Sequence, residues 1–235
     1  MPDVHSLWIG DRLSALELLS VASHLKQGHR YHLWCYKSYD NLPDGVIVED
    51  ANAVLPEKEI FCYKIGIGAG SVSAFSNIFR YKLISERGGW WSDCDVVALK
   101  SFPEVDHMFA SERHPDGSSL PTTCAFTGRD VAAECYKKAV LYNRNTLVWG
   151  RIGPRLFSST IRNMGLEEFT ASPDDFCPVD WFEPFKRPKA TPGHAVHLWH
   201  EMWRRNKKDK DSWVAGTLYH DLLERFLPDA VLRKS

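Results

Sequence analysis

The sequence predicts an α/β fold from three features: a strand–helix–strand opening, a long amphipathic helix closed by Gly-Gly, and a strand-like run directly behind it. Residues 4–10 read as a short buried strand ending on the Gly10 turn. Leu13, Leu16, Leu19 and Leu25 then fall near helical spacing. Residues 31–36 are aromatic-rich and suit a second strand, with a briefer third at residues 46–48. That order belongs to a layered α/β architecture.

Residues 71–87 form the clearest helix. Val72, Phe75, Phe79 and Leu83 make its apolar stripe, Ser71 is placed to cap its start, and Gly88-Gly89 ends it. Residues 90–99 follow as a strand-like run interrupted by Asp93 and Asp95, which sit on a strand end or the turn leaving it. A strand interior disfavours Asp, so that placement needs a compensating role. Helices are expected at 130–142 and at 155–162, the latter with Pro154 at its first turn. Residues 173–192, rich in Pro and aromatics, read as a folded loop, and the basic tract 204–210 as a turn before a final helix at 218–226. No repeat or linker divides the chain, so residues 1–235 are expected to make one domain.

Composition narrows the function classes. Lys plus Arg (29) nearly balance Asp plus Glu (30), and a net charge of −1 gives no field to steer nucleic acid. The six cysteines contain no C-x-x-C pair, which argues against a zinc ribbon and for reduced, mostly buried thiols in a cytosolic protein. The N-terminal residues lack signal-peptide character, and no run approaches the ~18 apolar residues of a membrane span. A cytoplasmic protein is expected, with any membrane contact peripheral. The 9 Trp serve either core packing or flat contact with a sugar or base.

Asp93 and Asp95 carry the strongest chemical signal. In an extended strand, residues two apart point to one face, and paired carboxylates suit Mn²⁺ or Mg²⁺ with a diphosphate completing the shell. Taken bare, the triplet also fits a solvated turn. On the preceding helix Ser73, Asn77 and Arg80, with Ser76 beside them, make a polar stripe opposite the apolar one. That stripe faces either water or the same cleft as the aspartates, with Arg80 near phosphate or aspartate charge.

The run Ser76-Asn77-Ile78-Phe79-Arg80-Tyr81, then Leu83, Gly88-Gly89, Trp90-Trp91 and Asp93-Cys94-Asp95 resembles the DXD sugar-binding region of glycosyltransferase family 32. Its relatives include initiating mannosyltransferases, α-1,4-galactosyltransferases, capsular polysaccharide transferases and the glucosylating clostridial toxins. The resemblance implies a GT-A fold, an α/β sandwich around a mostly parallel central sheet flanked by helices. It also implies a retaining, metal-dependent sugar transfer from a UDP- or GDP-sugar to a glycan, lipid-linked or other hydroxyl acceptor, as in surface-polysaccharide synthesis.

Site residues follow by the same resemblance. Asp95 and Asp93 hold Mn²⁺ or Mg²⁺ with His197 of the His-x-Trp stretch, His200 being the alternative. Asp93 also binds ribose or sugar, Arg80 adjusts the charge of the cluster, and Ser76, Asn77 and Trp91 lie at the donor. Trp8 and Gly10 meet the nucleotide base, unless Trp8 is core. Gly153 belongs to a Gly-Pro element near sugar and acceptor, and Trp203 covers the diphosphate. Apart from the resemblance, Glu112 and Asp116 are candidate acceptor bases with no spacing to prefer either, although in the implied scheme the departing phosphate can take that proton itself. Three departures bear on the donor-sugar pocket: Asn77 replaces the family's Asp, Trp91 its Tyr, and Thr123 an expected Asn. The alternatives are a non-catalytic sugar-nucleotide or glycan-binding module, and a metal-dependent phosphohydrolase acting on nucleotide sugars.

Overall fold

A computed structural model describes residues 1–229. In chain order the strands are β1 (Asp3–Trp8), β2 (Arg30–Cys35), β3 (Ile47–Asp50), β4 (Trp90–Ser92), β5 (Val96–Ala98), β6 (Met108–Arg113), β7 (Ser119–Thr127) and β8 (Ala195–His197). The helices are α1 (Ala15–Lys26), α2 (Ser73–Arg87), α3 (Arg129–Ala139), α4 (Pro154–Met164), α5 (Pro173–Phe176), α6 (His200–Arg205) and α7 (Leu218–Phe226). Six strands form one sheet in the order β3-β2-β1-β4-β7-β6, while β5 and β8 pair apart from it. The β2–β3, β1–β2 and β1–β4 pairings are parallel; β4–β7 and β6–β7 are antiparallel. The expected mostly parallel sheet is present, with an antiparallel edge.

Strand alternation divides the core between the two faces. Trp90 turns into a cluster with residues of α1, α7, β5 and β8, whereas Trp91 turns into the cluster of α2, α3 and α4. Most of the tryptophans are consumed in this packing. Trp8, Trp34, Trp90, Trp91, Trp199 and Trp203 are all buried.

Several local expectations need correction. Ser71 lies one residue before the N-cap Val72, yet its Oγ accepts the first amide of α2, that of Ser73, at 3.3 Å, while its carbonyl accepts the Tyr63 amide at 2.9 Å. Residues 90–99, by contrast, divide at the aspartates as expected, into β4 and β5 joined by the turn leaving β4, where the Val96 amide donates to the Asp93 carbonyl at 3.0 Å. The 173–192 segment opens with the short helix α5, and the basic tract begins inside α6 rather than in a turn. Gly88 and Gly89 do end α2, with φ of 74° and 75°. A Cβ on Gly89 would lie 2.8 Å from the Asp3 carbonyl, so glycine is required by both conformation and space.

Helix α1 positions both strands that flank the aspartate turn. Ser20 Oγ donates to the Val96 carbonyl at 2.7 Å, and Ser23 Oγ accepts the Ala98 amide at 2.8 Å. His24 Nε2 meets Ser92 Oγ at 3.0 Å, and its Nδ1 meets His29 Nδ1 at 3.0 Å. His29 Nε2 accepts the Phe102 amide at 2.8 Å. That last bond fixes the proton of neutral His29 on Nδ1, so His24 Nδ1 accepts and His24 Nε2 donates to Ser92. The relay requires both rings to be neutral.

Burial lowers His5 and His29 to about 4 and His24 well below its usual 6.5, with His32 adding to the effect at His5 and His29 adding to it at His24. The unfolded chain takes up these protons near pH 6.5, the folded chain only near or below 4. Stability is therefore complete above about pH 6.5 and is lost progressively as pH falls toward 4, at about 1.4 kcal/mol per pH unit for each such residue. Urea midpoints measured between pH 7.5 and 4.5 are expected to fall steeply below 6.5, and a flat profile would contradict the neutral relay.

Candidate functional site

The aspartate turn lies beyond the C-terminal ends of the parallel strands β1 and β4. The Asp93 amide extends the β4–β7 ladder by donating to the Cys124 carbonyl at 2.7 Å, and Cys94 Sγ rests 3.5 Å from the Leu7 carbonyl. Because the chain turns here, the two carboxylates diverge toward different anchors instead of sharing a strand face. Their ligand oxygens still lie with a His197 ring nitrogen within 4.8 Å of one another.

Asp93 is anchored by α2. The Arg80 guanidinium meets it as a fork, Nη2 to Oδ1 at 3.0 Å and Nη1 to Oδ2 at 3.3 Å. The same guanidinium donates to the Thr123 carbonyl at 2.6 Å, to Ser76 Oγ at 2.9 Å and to the Ser76 carbonyl at 3.2 Å. Trp91 lies under it, with the guanidinium carbon 4.7 Å from its ring centre, and Trp91 Nε1 donates to Asp93 Oδ1 at 2.9 Å. The polar stripe of α2 thus faces the aspartates and not water: Asn77 and Arg80 are buried. Arg80 has its donors committed to protein, so it acts as a positioning residue.

Asp95 is anchored from the other side by β8 and α6. His197 pairs with Val96 across the β5–β8 ribbon, and the Leu198 amide donates to the Asp95 carbonyl at 2.8 Å. His197 Nε2 lies 3.1 Å from Asp95 Oδ2, which also accepts the His200 amide at 2.6 Å. Trp199 makes this possible by adopting φ 57°, a conformation uncommon outside glycine. Its ring packs 3.8 Å from that of His197, and its Nε1 donates to the Val179 carbonyl at 2.7 Å. Between the two histidines, His197 directs its imidazole at Asp95, while His200 offers only its amide and turns its ring to Lys210 at 3.3 Å.

The remaining candidates divide. Gly153 packs on Asn77: a Cβ there would come within 2.9 Å of Asn77 Nδ2. Gly10 leaves room for the Trp8 ring, which a Cβ would meet at 2.9 Å. Trp8 is buried, its Nε1 has no hydrogen-bond partner, and Lys210 Nζ stands 5.2 Å above its ring. Lys210 is held there by buried Glu17 at 2.5 Å. Trp203, on α6, donates to the Leu198 carbonyl at 2.8 Å and packs between Phe185 and Tyr219. Glu112 is buried, whereas Asp116 is fully exposed and caps a hairpin turn through Ser118. The sequence places Trp199 only within the His-x-Trp stretch and Lys210 only within the basic tract, and gives no sign of Glu17 or of two thiols behind His197. Cys177 Sγ lies 3.8 Å from His197 Nδ1 and 3.5 Å from Cys124 Sγ.

Charge is distributed unequally between the carboxylates. Burial opposes ionisation of Asp95, but the facing His197 and the His200 amide hold its carboxyl well below the usual range. Burial pushes Asp93 up, Arg80 pulls against it, and Asp95 adds to the rise. A quarter of the Asp93 side chain remains exposed, which tempers the burial effect. Burial also raises Glu112 against a hydrogen bond from Thr122. The donor set of two carboxylates and one imidazole suits a divalent cation of the Mn²⁺ or Mg²⁺ class. It fits locally too, since among the described residues Asp95 Oδ1 has no protein hydrogen bond.

No family model matches the sequence, and no curated protein matches it. A solved structure named "PaToxG Glycosyltransferase" is similar with a TM-score of 0.51 at 14% identity, over 69% of this chain and 69% of that one. At this identity the likeness is one of fold, and the fold is GT-A-like: α/β with a mostly parallel six-stranded sheet flanked by helices.

Arg80→Ala would leave Asp93 buried beside Asp95 without its cation, at a cost of about 3 kcal/mol. Arg80→Lys is expected to recover less than half of that, because one ammonium cannot meet Asp93, Thr123 and Ser76 together. Urea unfolding of the three proteins checks this, and an unchanged Arg80→Ala midpoint would contradict it.

Proposed function

We propose that this chain is a metal-dependent retaining glycosyltransferase with a site of the family 32 kind. Its donor would be a UDP- or GDP-sugar, and its acceptor a hydroxyl of a glycan or lipid-linked saccharide. The supporting observation is the convergence of Asp93, Asp95 and His197 at the C-terminal edge of parallel strands, in a fold shared with a glycosyltransferase. Ligands of open α/β sheets bind at that edge. Residues 1–235 would act as one domain on the cytoplasmic side, with peripheral contact where the acceptor is lipid-linked. Among the described residues no helix is long and apolar enough to cross a membrane.

In this reading Asp95, Asp93 and His197 hold Mn²⁺ or Mg²⁺, which would neutralise charge gathering on the departing diphosphate. Arg80, Ser76 and Trp91 fix Asp93, so that its exposed edge can meet a ribose or sugar hydroxyl. The unpartnered Trp8 Nε1 supplies a donor for a base carbonyl, and Gly10 keeps the ring in place. Lys210, poised over Trp8, adds positive charge beside the nucleotide. Asn77 and Gly153 form the wall against the donor sugar. The bond from anomeric carbon to diphosphate oxygen breaks, the acceptor oxygen bonds that carbon on the same face, and its proton passes to the diphosphate. Glu112 is not required as a base and is assigned to acceptor positioning.

A panel of UDP-, GDP- and dTDP-sugars with Mn²⁺, read by release of nucleoside diphosphate, tests the reading. Asp95→Ala is expected to abolish metal-dependent turnover with the fold intact, and unchanged turnover would refute the assignment. Release of nucleoside monophosphate would instead identify a phosphohydrolase, and donor binding without release a non-catalytic module. Trp8→Phe keeps the ring and removes the N–H. It is expected to raise the donor KM by about five- to tenfold with kcat little changed.

A further inference from the structure

Behind His197 lies a second group of ligand atoms that the proposed reaction does not use. Cys124 comes from the middle of β7, Cys177 from the residue after α5, and His197 from the end of β8. All three are buried, and their ligand atoms lie within 4.8 Å of one another. The three side chains come from three separate elements.

We propose that Cys124, Cys177 and His197 Nδ1 form a site for a thiophilic divalent cation of the Zn²⁺ or Cd²⁺ class. The geometry matches such an ion without large movement. Zinc–sulfur bonds of about 2.3 Å and zinc–nitrogen bonds of about 2.0 Å, set tetrahedrally, give edges of about 3.8 Å between sulfurs and about 3.5 Å between sulfur and nitrogen. The observed separations are 3.5 Å for Cys124 Sγ to Cys177 Sγ and 3.8 Å for Cys177 Sγ to His197 Nδ1.

Charge balance favours the same ligand. Binding displaces one proton from each thiol to solvent, and two thiolates with one divalent ion make a neutral unit that a buried pocket can hold. A hard cation has no reason to choose sulfur over the neighbouring carboxylates. The soft ion would therefore take the thiol side of the imidazole and the hard ion the carboxylate side. His197 presents Nδ1 to Cys177 and Nε2 to Asp95, so both sites draw on one ring. Occupancy of the thiol site commits His197 there and sets the two ions in competition for it.

The inference stands apart from the glycosyltransferase reading, since it concerns binding and not turnover. The full-length reduced chain is titrated anaerobically with Co²⁺, whose thiolate charge-transfer band in the near ultraviolet reports sulfur ligation, and the bound Co²⁺ is then displaced with Zn²⁺. One Co²⁺ per chain with that band is expected. The band should be lost, or binding weakened at least tenfold, in Cys177→Ser and in Cys124→Ser, and should persist in Asp95→Ala. Cys62→Ser, which removes the exposed thiol, should leave it unchanged. Circular dichroism monitors folding, and Cys177→Ala serves if a serine variant fails to fold. No thiolate band in the parent chain, or a band that survives loss of Cys177, overturns the proposal.

Discussion

Two carboxylates two residues apart can share a nearly buried turn only if positive charge or strong donors meet each of them, and here each has its own. Arg80 reaches from α2 to grip Asp93 as a fork while its other bonds fasten it to Thr123 and Ser76. Asp95 is met from the opposite direction by His197 and by the first amide of α6. Removing either anchor would leave an uncompensated charge in a low-dielectric setting, which is expensive. The sheet, its helices and the β5–β8 ribbon can be understood as the frame that brings these two anchors to one place.

That frame is itself polar beneath the turn. His24 of α1, backed by His29 of the loop after it, binds Ser92, and the serines of α1 bind β5, so both strands entering and leaving the triplet are held from below. A buried network of this kind fixes geometry only while every member is satisfied. It couples the site to the protonation of residues that never touch a ligand.

The local signals in the sequence were those that a single element can carry. The α2 stripe, its Gly-Gly end, Pro154 opening α4 and the final helix are matched closely. So is the interruption of residues 90–99 by aspartates, at the turn leaving β4. Ser71 meets the first amide of α2 as its position suggests, but nothing in the sequence shows its second bond, to Tyr63. Cys177 and the Glu17–Lys210 pair were illegible for a stronger reason: their partners lie tens to nearly two hundred residues away. Asn77 and Thr123, distant in sequence, meet in space: Thr123 Oγ1 donates to Asn77 Oδ1 at 3.3 Å.

The central claim is that Asp93 and Asp95, held by separate anchors, act together on one divalent cation. Electron paramagnetic resonance of Mn²⁺ titrated into the chain with a nucleoside diphosphate measures this directly. The account predicts one bound ion per chain, lost in Asp95→Ala while the circular dichroism spectrum is unchanged. Equal binding by Asp95→Ala and the parent chain, or none by the parent, would contradict it.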